Sequence, residues 1–332
     1  MRYIEALRKA LEEILEEDKD VFLIGEDITD PYGGAFKVTK GLSSKFPDRL
    51  IPTPMSEAGF SLAAVGMALA GLKPIVEIMF GDFMTLASDA LINHATVLNF
   101  ITEKKLHLVF RAPMGGYRGY GATHSKCMEN MFLSFPGIKV VAPSFASDVG
   151  KLLKLAVGCG KPVLFEEFKL DYGRTLLPYR QDAEMWIVDE TETYFPSYFI
   201  RPKDTTHLSA LIITYGELVY QAYEVAKKLL GESIKVGILS VSCLNCQDTL
   251  GILPSVAKEV ANILVLSEGY EMFGWAPYIA HILREHLPTG HRIRTMGAKH
   301  HILGVSPTLE NYVLPTAEDI EKSIREMVGS GN

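Results

Sequence analysis

Apolar positions along this chain alternate between two periods. Over residues 3–15, Ile4, Leu7, Leu11 and Ile14 share one helical stripe, and the following run VFLIGE (21–26) reads as a strand. A glycine-bearing loop, DPYGGAF (30–36), precedes a helix of small and apolar residues from Gly59 to Ala70. Strands are expected at PIVEIMF (74–80), HLVFRAP (107–113), KVVAP (139–143) and PVLFEE (162–167). From Asp171 to Thr206 the periodicity fades while charges and prolines gather, which marks a segment crossing between domains. Beyond it ALIITYG, the helix VYQAYEVAKKLL, KVGILSVS, ANILVLSEG and a helix near 276–286 repeat the alternation. Thr316 and Asp319 then form a capping box for a last helix, TAEDIEKSIREM. Alternating helices and strands favour parallel sheets, and 332 residues suffice for two full cores. The expected architecture is therefore α/β, with two doubly wound domains at 1–175 and 207–332 and a crossing linker at 176–206.

Charge narrows the function classes. Lys and Arg total 33 against 40 acids, a net charge of −7, with no basic run, so nucleic acid is not an expected partner. The stretch AGFSLAAVGMALAGL (58–72) falls short of the ~18 residues of a membrane span and reads as a buried helix. The opening MRYIEALRKALEEILEEDKD lacks the apolar core of a signal peptide and carries acids foreign to a transit peptide, so a cytoplasmic setting is expected. Of four cysteines only the pair in CLNC (243–246) has motif spacing. It follows a strand-like run, as a redox pair would, but no second pair completes a zinc site, and buried thiols are the plain expectation.

Three places carry candidate chemistry. RAPMGGYRGYGATHSK (111–126) packs four glycines into seven residues and ends on His124, so its backbone can approach a ligand closely and present an imidazole to it. Glu57 stands at the head of the small-residue helix, with no other charge until Lys73. A carboxylate there is either a helix-dipole contact or, among apolar neighbours, a group that shares a proton with a ligand nitrogen. Phe80 and Phe83 follow a strand end, where they pack in the core or stack on a ring. Other motifs fail: GYGATH has His124 where a dinucleotide fingerprint needs its last glycine, GCGKPV is no phosphate loop, and no G-x-S-x-G occurs.

The order GED (25–27), YGGAFKVTKGL (32–42), TPMSEAGF (53–60), AAVGMALAGLKPIVEIMFGDF (63–83), ATHS (122–125) and PGIKVVAPS (136–144) resembles the beta subunit of thiamine-diphosphate-dependent 2-oxoacid dehydrogenases, in the transketolase-like superfamily. LIITYG, LVLSEG and ENYVLPTAEDI are similar to that family's carboxy-terminal domain. The chain departs from the pattern at SCLNCQDTLGIL, where an Arg-Thr followed by Pro and Asp is usual, and at AKHHILGVSP.

The resemblance implies a transketolase-like pyrimidine-binding domain followed by a transketolase C-terminal-like domain. It implies that Glu57 hydrogen-bonds a pyrimidine nitrogen of thiamine diphosphate and promotes its reactive tautomer, that Phe83 lines the aminopyrimidine pocket with Phe80 nearby, and that His124 stands near the substrate. Thr123 and Lys126 replace glutamines that the family tends to carry. The Gly-Asp-Gly and following Asn that hold magnesium and the diphosphate in thiamine enzymes are absent, and oxygen ligands suit that ion. An alpha subunit is therefore expected to supply them, in a two-alpha, two-beta assembly acting with a lipoyl acyltransferase. A split transketolase or carboligase subunit and a non-catalytic assembly subunit are the alternatives.

Overall fold

The computed structural model describes residues 1–203, 205 and 207–329; the final residue of the expected linker, Thr206, and the last three of the second domain lie outside them. Val21–Gly25 (β1), Leu50–Pro52 (β2), Lys73–Glu77 (β3), Leu108–Met114 (β4), Lys139–Val141 (β5) and Pro162–Phe168 (β6) form a six-stranded sheet in the order β2-β1-β3-β4-β6-β5. Every neighbouring pair in it runs parallel. Strands β4 and β6 are buried along their whole length, which is why their sequences are largely apolar on both faces, Arg111, Glu166 and Glu167 apart.

A second sheet contains Trp186–Glu190 (β7), Tyr198–Pro202 (β8), Ala210–Thr214 (β9), Val236–Ser240 (β10), Asn262–Tyr270 (β11) and Arg292–Ala298 (β12), in the order β12-β11-β9-β10-β8-β7. Strands β9 to β12 are parallel, whereas β7 and β8 form an antiparallel hairpin whose β8 pairs with β10. The segment expected to be a plain crossing linker thus contributes two strands, the edge strand β7 and its neighbour β8. β8 alternates between buried and half-buried positions and β7 is half-buried to exposed beyond Trp186, so neither shows the continuous apolar run of a fully buried strand.

The helix Tyr3–Glu17 buries Leu7, Leu11 and Ile14 from the expected stripe and packs against the helix Val149–Gly158. Thr316 and Asp319 form the expected reciprocal cap, with each backbone N–H donating to the other's side chain at 3.1 and 3.2 Å. The small-residue helix spans Glu57–Leu69 and buries Phe60, Ser61, Ala64, Val65 and Ala68, but Leu62, Ala63 and Gly66 face outward. It is covered on one side only. A continuous apolar cluster reaches from Phe110 and Leu164 in the first sheet to Ile213 in the second and Trp275 at the start of the helix Trp275–His286, with Tyr215 between Phe168 and Trp275.

Cys243 and Cys246 are buried, as expected, but they are joined in a disulfide instead of standing as thiols. Cys243 also bridges backbone to backbone with Val141, so this turn extends the edge of the first sheet from the second domain. Among the described residues no helix is long and apolar enough to cross a membrane.

Candidate active site

Because all six strands of the first sheet run parallel, their carboxyl ends open on one edge, the usual place for ligands in such sheets. The sequence-derived candidates all leave from that edge. Glu57 follows β2, Phe80 and Phe83 follow β3, and His124 ends the loop after β4.

Glu57 is the first residue of its helix and only 8% exposed, yet its carboxylate has no hydrogen-bond partner among the described residues. Its neighbour is a second acid, Glu26, at the tip of β1. Burial raises the Glu26 carboxyl above its ordinary range, and the Glu57 charge raises it further; its Oε1 is also without a partner. The sequence pointed to purely apolar surroundings for Glu57. The pairing of Gly25 with Pro52 in parallel neighbours explains the difference, since the residues following both tips meet at the edge.

Beside β3 and β4, the imidazole of His124 lies edge-on to Phe80 and Phe83, with ring centroids 4.6 and 5.3 Å away. Phe36 and Tyr120 add edges to the same aromatic cup, at 5.5 and 6.0 Å from Phe80. The Thr123 hydroxyl lies 2.8 Å from His124 Nδ1, which leaves Nε2 as the ring nitrogen open to a ligand. Lys169, 1% exposed at the end of β6, donates from Nζ to the His124 carbonyl, and its ammonium stands over Phe80 and Tyr120 at 5.6 and 5.7 Å. Burial pushes this lysine down to about 8. Lys126 pins the far side of the loop to Asp82, with Nζ 2.7 Å from Oδ1.

Beneath the cup, buried Arg111 on β4 donates to Glu77 on β3 at 2.8 Å and to Glu167 on β6 at 2.6 and 2.8 Å. This bidentate pairing ties three strand ends together, so the loops above them spring from a fixed base.

The structure therefore brings Phe80, Phe83 and His124 into one cup, while Glu57 sits further along the same edge beside Glu26. Sequence reasoning missed Glu26 and Lys169 as site residues. Each is a charge immediately beyond a buried strand, and that position was the available signal. Among the described residues no group of three or more His, Cys, Asp or Glu is placed to hold a metal ion.

Fold and edge together define a transketolase-like protein. Residues 1–174 match the family model of the transketolase pyrimidine binding domain, and residues 203–320 match the transketolase C-terminal domain. The chain belongs to the beta-subunit family of thiamine-diphosphate-dependent 2-oxoacid dehydrogenases. It is 33% identical over 334 aligned positions to the mitochondrial pyruvate dehydrogenase E1 component subunit beta-1 of Arabidopsis thaliana, covering 96% of this chain and 87% of that one. The pyruvate dehydrogenase E1 subunit beta of Rickettsia felis is 32% identical, with 97% of each chain covered. Among solved structures, a split gene transketolase described as an inactive beta4 tetramer superposes with a TM-score of 0.74 at 20% identity, covering 98% of this chain and 97% of that one, a likeness of fold alone. The family implies dependence on thiamine diphosphate, and its E1 beta members imply an E1 alpha partner.

Proposed function

We propose that this chain is the beta half of a shared active site that decarboxylates a 2-oxoacid oxidatively and passes the acyl group to lipoamide. The observation that carries the reading is the unpartnered carboxylate of the largely buried residue Glu57 on the same edge as His124, in a sequence without the diphosphate and magnesium motif. Residues 1–175 act as the pyrimidine-binding domain and 207–332 as the C-terminal domain. The alpha subunit holds magnesium and the diphosphate, and the assembly is two alpha and two beta chains. The outward face of the helix Glu57–Leu69 supports the partner requirement, since Leu62, Ala63 and Gly66 are exposed and small or apolar, a surface suited to close packing. A cytoplasmic setting is part of the same proposal, and cell fractionation checks it.

The residues present fit the pyrimidine half of thiamine diphosphate. Glu57 and the orphaned Glu26 oxygen leave a buried place for a ring nitrogen that exchanges a proton, and Phe83 and Phe80 offer apolar walls. When bound, the cofactor supplies the electron sink for decarboxylation. Glu57, whose carboxylate is unpaired at the head of its helix, would hold a proton at the ring nitrogen. The His124 Nε2 orients the substrate or moves a proton during acyl transfer, with Thr123 setting which ring nitrogen does so.

A split transketolase or carboligase subunit is the second reading, favoured by Thr123 and Lys126 beside the histidine, where the family tends to have glutamines. Glu57 and His124, both in place at the edge, speak against a subunit that only assembles.

Calorimetry with the full chain tests the split site. The chain alone is expected to bind thiamine diphosphate and magnesium weakly, and with its co-purified partner tightly. Stoichiometric, magnesium-dependent binding by the chain alone contradicts the reading. Lipoamide and aldehyde acceptors, compared in the complex, separate the two chemistries.

A further inference from the structure

The loop that carries His124 is held from two domains. Its far end belongs to the first domain, through Lys169 at the His124 carbonyl and Lys126 at Asp82. Its beginning is held by the second. The Gly116 N–H donates to Glu268 Oε1 on β11 at 2.6 Å, and the Gly119 N–H donates to Glu310 Oε2, in the helix Pro307–Val313, at 3.0 Å. The Tyr117 hydroxyl adds a third tie, donating to the Pro315 carbonyl at 2.6 Å.

Both carboxylates are buried, 2% exposed for Glu268 and 1% for Glu310, so their bonds to backbone N–H groups form out of competition with water. The glycines are required for this approach. Gly115 and Gly119 take φ of +91° and +68°, and a Cβ on Gly115 would stand 3.0 Å from Glu268 Oε1. Arg118 lies between the two tied amides; the residue is exposed, and its guanidinium donates to the Lys169 carbonyl at 3.2 Å, a contact that cleavage after it must also release.

We infer that Glu268 and Glu310 are positioning residues, which hold the glycine loop from the second domain and thereby fix where His124 stands. The link to turnover rests on the function proposed above; the holding of the loop does not. Neither residue touches the aromatic cup, and both act through the loop backbone.

Limited trypsin digestion of the full chain reads the holding directly, because cleavage after Arg118 follows the population of loop that has come free. Glu310→Leu and Glu268→Leu each leave a buried N–H unpaired. Each is expected to speed cleavage after Arg118 about tenfold, with other sites unchanged. Glu310→Gln keeps an acceptor oxygen in place and is expected to cleave at the parent rate. Glu310→Asp keeps the charge but withdraws the acceptor, so it must also speed cleavage, and it serves if the leucine variants do not fold. In the complex with its partner, kcat falls about tenfold in Glu310→Leu with KM held, and Glu310→Gln restores it. Cleavage after Arg118 at the parent rate in both Leu variants and in Glu310→Asp overturns the inference, as does acceleration spread evenly over all sites. If the parent complex shows no thiamine-dependent turnover, the proposed function falls, and the cleavage rates alone decide the loop's restraint.

Discussion

His124 meets Phe80 edge-on, the ring planes at 85° and the centroids 4.6 Å apart. The two belong to different strand ends, Phe80 after β3 and His124 in the loop after β4, and they meet because β3 and β4 are parallel neighbours with Glu77 opposite Arg111. An aromatic edge against a ring face is a favourable contact, so Phe80 restricts the imidazole while Thr123 occupies Nδ1.

His124→Ala therefore removes a positioned group without opening the core, since this residue is only half-buried. In the reconstituted complex, cofactor binding is expected to stay near the parent value while turnover or acyl transfer drops ~100- to 10,000-fold, the range for a general acid–base group. Steady-state kinetics beside cofactor titration checks this. A variant as active as the parent makes His124 structural.

Glu268 gives the fold a pH dependence of known sign. Burial raises its carboxyl from 4.5 to about 7, so across that window the folded chain holds a proton that the unfolded chain has released. Stability from this group is present below about 4.5 and is lost as pH rises through about 7. The span corresponds to about 3 kcal/mol at ~1.4 kcal/mol per unit. Glu268→Gln is expected to lose less stability than the parent between pH 5 and 7.5, measured by urea unfolding. Equal losses in both proteins contradict the assignment.

The Cys243–Cys246 disulfide closes a short turn where the second domain meets β5. Replacing both cysteines by serine is expected to leave decarboxylation unchanged and to lower stability by at most ~2 kcal/mol, from the chain entropy of so small a loop. Turnover in the complex and a melting curve read the two effects separately. Loss of activity in a folded variant assigns the pair a redox role.

Much of the fold was legible because its central strands are buried on both faces and so stand out as apolar runs; β4 and β6 are the plainest cases. The hairpin β7–β8 was not legible, because its half-exposed strands carry charges that read as linker. In the site, His124 and the two phenylalanines were recognisable from glycine density and strand ends. Glu26 was not, because its importance comes from standing beside Glu57 through the β1–β2 pairing, a contact between residues 31 positions apart. The clamp by Glu268 and Glu310 was hidden for the same reason, since both join the glycine loop from the other domain.

Glu57 exchanging a proton with the cofactor is the step on which the proposed function turns, and Glu57→Gln removes it. Glutamine keeps the size and a hydrogen-bonding oxygen but cannot trade that proton, so the variant should fold and assemble with its partner. Hydrogen–deuterium exchange at the thiazolium carbon of thiamine diphosphate bound to the assembled complex isolates this step from substrate binding and acyl transfer. Exchange in Glu57→Gln is expected to slow by about two orders of magnitude or more. Exchange at the parent rate in a properly assembled Glu57→Gln complex would contradict that expectation and leave Glu57 as a charge at a helix terminus.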